Sequence, residues 1–252
     1  MTPFARPAHQ HLTLSRTPRR RLLASASPAL LCGLAFAAIG FVARPARADN
    51  EWKHVCEKDG AEVFSREVPG SPVKEFRVVA TIAVPAPRLT SILFDIASHP
   101  QFLPPTEAVQ LVKSDANGPL LHMVLNPSWV SRRDCCLRHS LTRLADGTFR
   151  SEWHSTEEGC PAPEKGVVRM LRNDGVCLLT PSPDGLSTRV EYIAHHIPGG
   201  SIPAWLANAS IPRTLPKVLH ALAQRAAIPR YQATSEDVLR LEAQARAGVT
   251  GH

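Results

Sequence analysis

The sequence lacks the short motifs that mark most hydrolase, phosphate and metal sites. Gly-x-Ser-x-Gly, His-Glu-x-x-His and a phosphate-binding glycine loop do not occur in the 252 residues. Cys-x-x-Cys and Cys/His pairs at zinc spacing are also absent, which disfavours a zinc site. The sequence therefore predicts no catalytic motif, no metal site and no cofactor.

Acidic residues are missing from the first 48 residues. A basic start, an uncharged run over 22–43 and the small residues of Ala46-Arg47-Ala48 predict a secretory signal peptide over 1–48. Two alternatives stay open. The arginines before Leu22 resemble a twin-arginine export motif, and the uncharged run approaches the ~20 residues that span a bilayer as a retained anchor. We expect an exported protein of the periplasm or cell envelope.

Beyond residue 48 the chain has no excess charge. Seven of the 29 Lys and Arg residues precede position 49, so 22 remain against 22 Asp and Glu. A basic patch on the folded domain is needed for nucleic-acid binding, so we expect none. Five cysteines remain, an odd number whose pairing cannot be deduced, although an oxidising compartment would permit disulfides.

The remaining residues suit one domain with a sizeable core. Alternating patterns between glycine-containing turns predict antiparallel hairpins, and Asn173-Asp174-Gly175 is interpreted as one of these turns. A first helix begins at Pro87, and a long last helix runs over 201–227, where Pro212 and Pro216 are expected to kink or split it. The predicted strands are 61–68, 76–83, 108–113, 120–125, 134–144, 149–155, 167–172, 176–180 and 188–195. This order predicts an α+β fold with helices on one side of an antiparallel sheet.

The segment 196–208 marks the start of the last helix. Pro198-Gly199-Gly200 is a breaker cluster, and Ser201 is a suitable N-cap ahead of Pro203. Helical spacing then predicts one apolar face, which we expect to close a cavity as a lid. That face comprises Ile202, Trp205, Leu206 and Ala209.

An ordered set of sequence motifs resembles the START family of lipid-binding domains over residues 52–231. The resemblance is carried by Asp59-Gly60 with Phe64-Ser65-Arg66, His99–Pro104, Pro127 with Arg133-Asp134, Val168-Arg169 and Pro198–Asn208. Phe102 stands where the family usually has Trp, and Ser128 and Trp129 replace a Trp-Pro pair. The resemblance implies a helix-grip fold over 49–231, in which a curved sheet around the C-terminal helix encloses a hydrophobic cavity. Residues 232–252 are assigned to a polar tail.

The candidate ligand-binding residues combine this resemblance with the predicted elements. Arg133 is expected near the cavity, where its guanidinium could hold a polar headgroup; the alternative is a structural ion pair. The other candidates are Asp134, Trp129, His154 and Met170, together with the lid face. Neighbouring strand residues point to opposite faces, so Cys135 and Cys136 cannot form one site.

The leading hypothesis is binding, and transfer, of a lipid or sterol by a monomer that contacts membranes transiently. One alternative is an enzyme of cyclase or hydrolase type that uses a polar group in the same cavity. The other is an interaction module whose cavity is filled by its own side chains.

Overall fold

The computed structural model describes residues 51–128, 130–234, 236–238, 240 and 243. The predicted signal peptide, its anchor alternative and Trp129 lie outside them. The helices described over their full length are α1 (Ala86–Phe94) and α2 (Ala204–Arg225), and short 3-10 helices cover Ile96–Gln101 and Pro229–Tyr231. The strands are β1 (Lys53–Lys58), β2 (Ala61–Val68), β3 (Ser71–Ile82), β4 (Thr106–Asp115), β5 (Gly118–Leu125), β6 (Arg133–Arg143), β7 (Phe149–Ser155), β8 (Val168–Arg169), β9 (Arg172–Pro181) and β10 (Thr188–Ile197).

The strands form one sheet in the order β1-β2-β3-β10-β9-β7-β6-β5-β4. Neighbours on this path pair antiparallel, and the two-residue β8 pairs parallel with β6. Both helices lie on one face of the sheet, which we call the inner face. The α+β architecture predicted from the sequence is confirmed.

The core lies between the inner face and the two helices. Strand residues such as Val78, Phe149 and Val190 form one buried cluster with Ile92 of α1 and Leu215 of α2. Alternation along each strand sends every second side chain into this cluster and the intervening ones to the outer face.

Helix α2 runs without interruption through Pro212 and Pro216, so the predicted split is wrong. The N-cap is Pro203, whose side chain makes no capping hydrogen bond, and the prediction of Ser201 as the cap is also wrong. The C-terminal end of the helix is tied down, because Arg225 donates to the Tyr231 hydroxyl, which itself donates to Asp95 after α1.

The Asn173-Asp174-Gly175 turn is another wrong prediction. These residues continue β9, where Asn173 pairs with His196 and Gly175 pairs with Ala194 of β10. The side chains of Asn173 and Asp174 form hydrogen bonds with residues of other strands. The Asn173 amide joins two inner-face side chains, and Asp174 accepts hydrogen bonds from the backbone N–H and hydroxyl of Ser155.

A disulfide links Cys136 of β6 to Cys160 in the loop after β7. Cys135 instead belongs to the inner core, which confirms that the two adjacent thiols point to opposite faces. Among the described residues no helix is long and apolar enough to cross a bilayer. Val238, in the segment assigned to the tail, is fully buried in the core cluster.

Candidate ligand-binding site

Trp153 and Tyr192 form an aromatic floor on the inner face. Their ring centroids are 5.2 Å apart, although they belong to β7 and β10 with β9 between them. The indole bridges this gap over Gly175, where a Cβ would lie 2.3 Å from Cζ2 of Trp153. Asn173 fixes the indole by accepting from Nε1 at 3.3 Å, and its own Nδ2 donates to Cys135 Sγ at 3.3 Å.

Two polar groups of the inner face are buried but incompletely covered by protein atoms. Burial raises the pKa of Tyr192 well above its usual value and lowers the pKa of His196 to about 4. Both residues nevertheless keep part of their surface uncovered. The buried Nε2 of His196 has no hydrogen-bond partner among the described residues. Because Tyr192 and His196 are partly exposed, a water-sized probe can reach both side chains.

Arg133 lies at one end of the same face, two residues before Cys135 on β6. It is 5% exposed, and its guanidinium donates to the backbone carbonyls of Pro198 (from Nε, 3.2 Å) and Ser131. Burial lowers its pKa, and within the described part of the chain it has no carboxylate partner. Among the described residues, Arg133 is therefore a buried cation whose hydrogen-bond acceptors are all neutral. The structural ion pair that was the alternative for Arg133 is formed by its neighbour Asp134.

Asp134 points to the opposite face and forms that ion pair. It is 1% exposed, and it accepts two hydrogen bonds from Arg169 at 2.9 Å and one from His122 at 2.9 Å. Burial raises its pKa, but the hydrogen bonds from Arg169 and His122 outweigh this, so its pKa is lowered. Asp134 is a structural residue of the outer face, not one of the inner site.

His154 also lies on the outer face, so its assignment to the cavity is wrong. Its neighbour Trp153 takes the inner position, while His154 is exposed and contacts Glu152 at 3.2 Å. It lines a pocket of about 310 Å³ that includes the Arg66–Glu75 and Arg172–Asp174 pairs. Met170 is buried in the inner core cluster, and its contact with a ligand stays a prediction.

The face of α2 was assigned wrongly. Trp205 is 70% exposed, Leu206 is 39% exposed and Ala209 is also exposed, while Ile202 just before the helix is half-buried. The buried face comprises Ala207, Ile211, Leu215, Leu219 and Leu222. Asn208 sets this rotation because it accepts from the Lys74 N–H at 2.9 Å and donates to the Pro72 carbonyl at 3.2 Å.

The inner site contains poor nucleophiles and weak bases. Burial raises the pKa of the Cys135 thiol to about 11 and that of Cys177 to about 12, so both stay protonated at neutral pH. Burial lowers the pKa of His139 to about 4. The described residues contain no cluster of three or more His, Cys, Asp or Glu side chains that could hold a metal ion.

Sequence reasoning missed Tyr192, Asn173 and His196. The alternation of Val190, Tyr192 and Ala194 within β10 carries the signal for Tyr192, because two small apolar residues flank it on the same face. Asn173 was hidden by its place in an apparent turn. No pattern within β9 indicates that its amide reaches both Trp153 and Cys135.

The START domain family model matches residues 37–232 of this chain. The chain belongs to the START domain family. Sequence similarity also extends over 176 residues to an uncharacterized protein of Pseudomonas aeruginosa, at 29% identity, covering 69% of this chain and 86% of that protein.

Two solved structures show the same fold. A STAR-related lipid transfer protein fragment from Xanthomonas axonopodis aligns with a TM-score of 0.64 and 29% identity, covering 70% of this chain and 99% of the fragment. Human StAR-related lipid transfer protein 5 aligns with a TM-score of 0.63 and 19% identity, covering 72% of this chain and 88% of the human one. The helix-grip fold predicted from the sequence is confirmed, and membership of this family implies binding of a hydrophobic ligand.

Proposed function

We propose that this START domain binds one molecule of the lipid class against the inner face of its sheet and carries it between lipid surfaces. The observation that carries the proposal is the pair Tyr192 and His196, two polar residues of the inner face that pack beside the core and keep part of their surface uncovered. An apolar ligand placed there gains about 25 cal/mol for each Å² removed from water. The family membership and the Xanthomonas lipid transfer protein support the same function.

Arg133 orients the ligand in this proposal. Its backbone-carbonyl partners leave its positive charge unneutralised within the described residues. A guanidinium offers five N–H donors in a fixed fork, so it can also bind a carboxylate or phosphate group. Such a partner would supply the negative charge that Arg133 lacks.

The start of α2 is the proposed contact with lipid surfaces. Trp205 is 70% exposed, and Leu171 is 73% exposed beside the turn that precedes α2, where a Cβ at Gly199 would lie 3.6 Å from its Cγ. Helix α2 contains no acidic residue, and Arg213 and Lys217 are exposed on it. Tryptophan favours membrane interfaces and cations favour anionic lipids, so this end of the molecule suits an anionic membrane.

An exported location is part of the proposal. The Cys136–Cys160 disulfide supports it, because structural disulfides persist in oxidising compartments and are rare in reducing ones. We further propose binding without catalysis, since the thiols of the inner face stay protonated and its histidines are weak bases.

The ligand-binding proposal is tested by titrating the delipidated full chain with a dansylated fatty acid and with its uncharged methyl ester. We expect saturable binding of both, with the acid weakened about ten-fold in Arg133→Gln and the ester unaffected. Arg132→Gln is the matched control, because Arg132 is exposed and pairs with Glu107 and Glu164. Failure of the wild-type chain to bind either probe would contradict the proposal.

A further inference from the structure

A second polar position lies on the inner face, at the other end of β6 from Arg133. His139 is 8% exposed, its Nε2 is 2.8 Å from the Ser151 hydroxyl, and its buried Nδ1 has no partner among the described residues. His99 follows α1, and its buried Nδ1 is also without a partner. An unpaired buried polar atom is costly, so two such atoms together call for a ligand that can satisfy them.

Both rings lie beside the end of α1. His139 contacts the Phe94 ring at a centroid distance of 5.2 Å, and His99 Nε2 bonds the carbonyl of the preceding residue, Leu93, at 3.0 Å. Burial, and secondarily His99, lowers the pKa of His139. Phe94, Phe102 and His99 each keep part of their surface uncovered.

The hydrogen-bond partners of His99 and His139 determine which donor and acceptor groups a ligand must offer. The Leu93 carbonyl can only accept, so His99 carries its proton on Nε2 and presents a bare Nδ1 acceptor. Burial lowers the pKa of His99 to about 4, which keeps this form at neutral pH. Ser151 can donate or accept, so His139 can adopt the tautomer in which its Nδ1 donates. A hydroxyl group donates and accepts at once, and so complements both rings.

Arg133 and His139 share one strand and one face and lie six positions apart along β6. At ~3.3 Å per residue this separation is about 20 Å, comparable to an extended long-chain acyl group. Cys135 and Leu137 lie between them on the same face and are both buried in the apolar core. The strand therefore presents a cation, an apolar stretch and the neutral ring of His139 in that order.

We propose that the ligand is a long-chain amphiphile whose anionic end contacts Arg133 and whose other end carries a hydroxyl held by His99 and His139. This inference rests on the proposed function and narrows its substrate class to hydroxylated long-chain acids or lipids that contain them. A simple acyl chain would leave both ring nitrogens without partners.

The test compares ω-hydroxypalmitic acid, palmitic acid and ω-methoxypalmitic acid as competitors of the dansylated probe on the full-length chain. We expect the hydroxy acid to bind about ten-fold more tightly than palmitic acid, and the methoxy acid to lose this advantage because it cannot donate to His99. Equal binding of hydroxy and unsubstituted acids by the wild-type chain would overturn the inference while leaving lipid binding intact. No binding of any acid would overturn both.

Two further measurements make the result specific to the histidines. His99→Phe and His139→Phe keep an aromatic ring, and each should abolish the preference for the hydroxy acid over palmitic acid. Nitrogen-15 NMR of the wild-type histidine rings should show the Nδ1 resonance of His99 shifting with the hydroxy acid and not with palmitic acid. A preference for the hydroxy acid without any ring shift would place the hydroxyl elsewhere and overturn the inference.

Discussion

The indole of Trp153 lies across Gly175, in the space that any other side chain at position 175 would fill. A Cβ there would be 2.3 Å from Cζ2 of the indole and 2.6 Å from the carbonyl oxygen of Ile193. The aromatic floor therefore depends on one missing side chain in the middle of β9.

Gly175→Ala should displace the indole, lower the free energy of unfolding by about 1–3 kcal/mol and weaken ligand binding. Near-UV circular dichroism and urea unfolding measure the two effects. Gly185→Ala is the control, since nothing lies within 4 Å of a Cβ at that turn and only backbone strain is added. Wild-type tryptophan spectra in Gly175→Ala would contradict the described packing.

Asp134→Asn should be among the most destabilising substitutions of the outer face. It removes the charge that compensates Arg169 in a pair where Asp134 is 1% exposed, and breaking such a pair costs about 3–5 kcal/mol. Asp115→Asn is the matched control, because Asp115 makes two similar bonds to Arg138 at 3.0 Å but is much more exposed. Equal urea midpoints for the two variants would show that the Asp134 pair is not structural.

Acid should destabilise the fold through its buried histidines. His99, His139 and His196 have pKa values of about 4 in the folded chain against 6.5 ordinarily, so the unfolded chain takes up protons first. Their stabilising contribution is complete above pH 6.5 and is lost as the pH falls towards 4. Each contributes a slope of up to about 1.4 kcal/mol per pH unit.

Urea unfolding across this pH range measures the slope. His139→Phe should reduce it, whereas His154→Gln should leave it unchanged because His154 is exposed on the outer face. A slope that is the same in the wild type and in His139→Phe would argue that His139 titrates normally.

Loss of the Cys136–Cys160 disulfide should lower the free energy of unfolding by about 3 kcal/mol, the loop-closure value for a separation of 24 residues. The double variant Cys136→Ser/Cys160→Ser tests this by thermal unfolding, with Cys56→Ser as a control at a free cysteine. If a reductant lowers the melting temperature of the double variant as much as that of the wild type, another bond is responsible.

Membrane contact should depend on the start of α2. Trp205→Ala and Leu171→Ala should each reduce binding to vesicles containing phosphatidylglycerol several-fold, because each removes an exposed apolar side chain from the proposed contact. Leu186→Ala is matched in exposure, at 69% against 73% for Leu171, but lies in the β9–β10 turn. Equal losses in Leu171→Ala and Leu186→Ala, measured by vesicle flotation, would contradict a specific contact.

Most strands and the two long helices follow from patterns that are local in sequence. β7 (Phe149–Ser155) was predicted with its observed bounds, because alternation and the Asp146-Gly147 turn act within a few residues. The rotation of α2 about its own axis could not be predicted from such local patterns. Trp205 and Leu206 are larger apolar residues than Ala207, so the first turn indicates the wrong face, and the rotation depends on Asn208 contacting β3 more than 130 residues earlier.

In the inner site, too, sequence motifs indicate single residues but not the contacts between distant segments. Arg133 was found because it belongs to a family landmark, but its carbonyl partner at Pro198 is 65 residues away. The Cys136–Cys160 pair, the Trp153–Gly175 contact and the His99–His139 pair each join separate segments. Periodicity within one segment carries no information about these contacts.

Native mass spectrometry of the full chain, purified from cells that export it, tests the central claim most directly. The protein is then denatured and the released molecules are identified. The account predicts one bound long-chain lipid per protein chain, with loss of that mass on denaturation. A ligand-free mass, both as purified and after incubation with a total lipid extract, would contradict it.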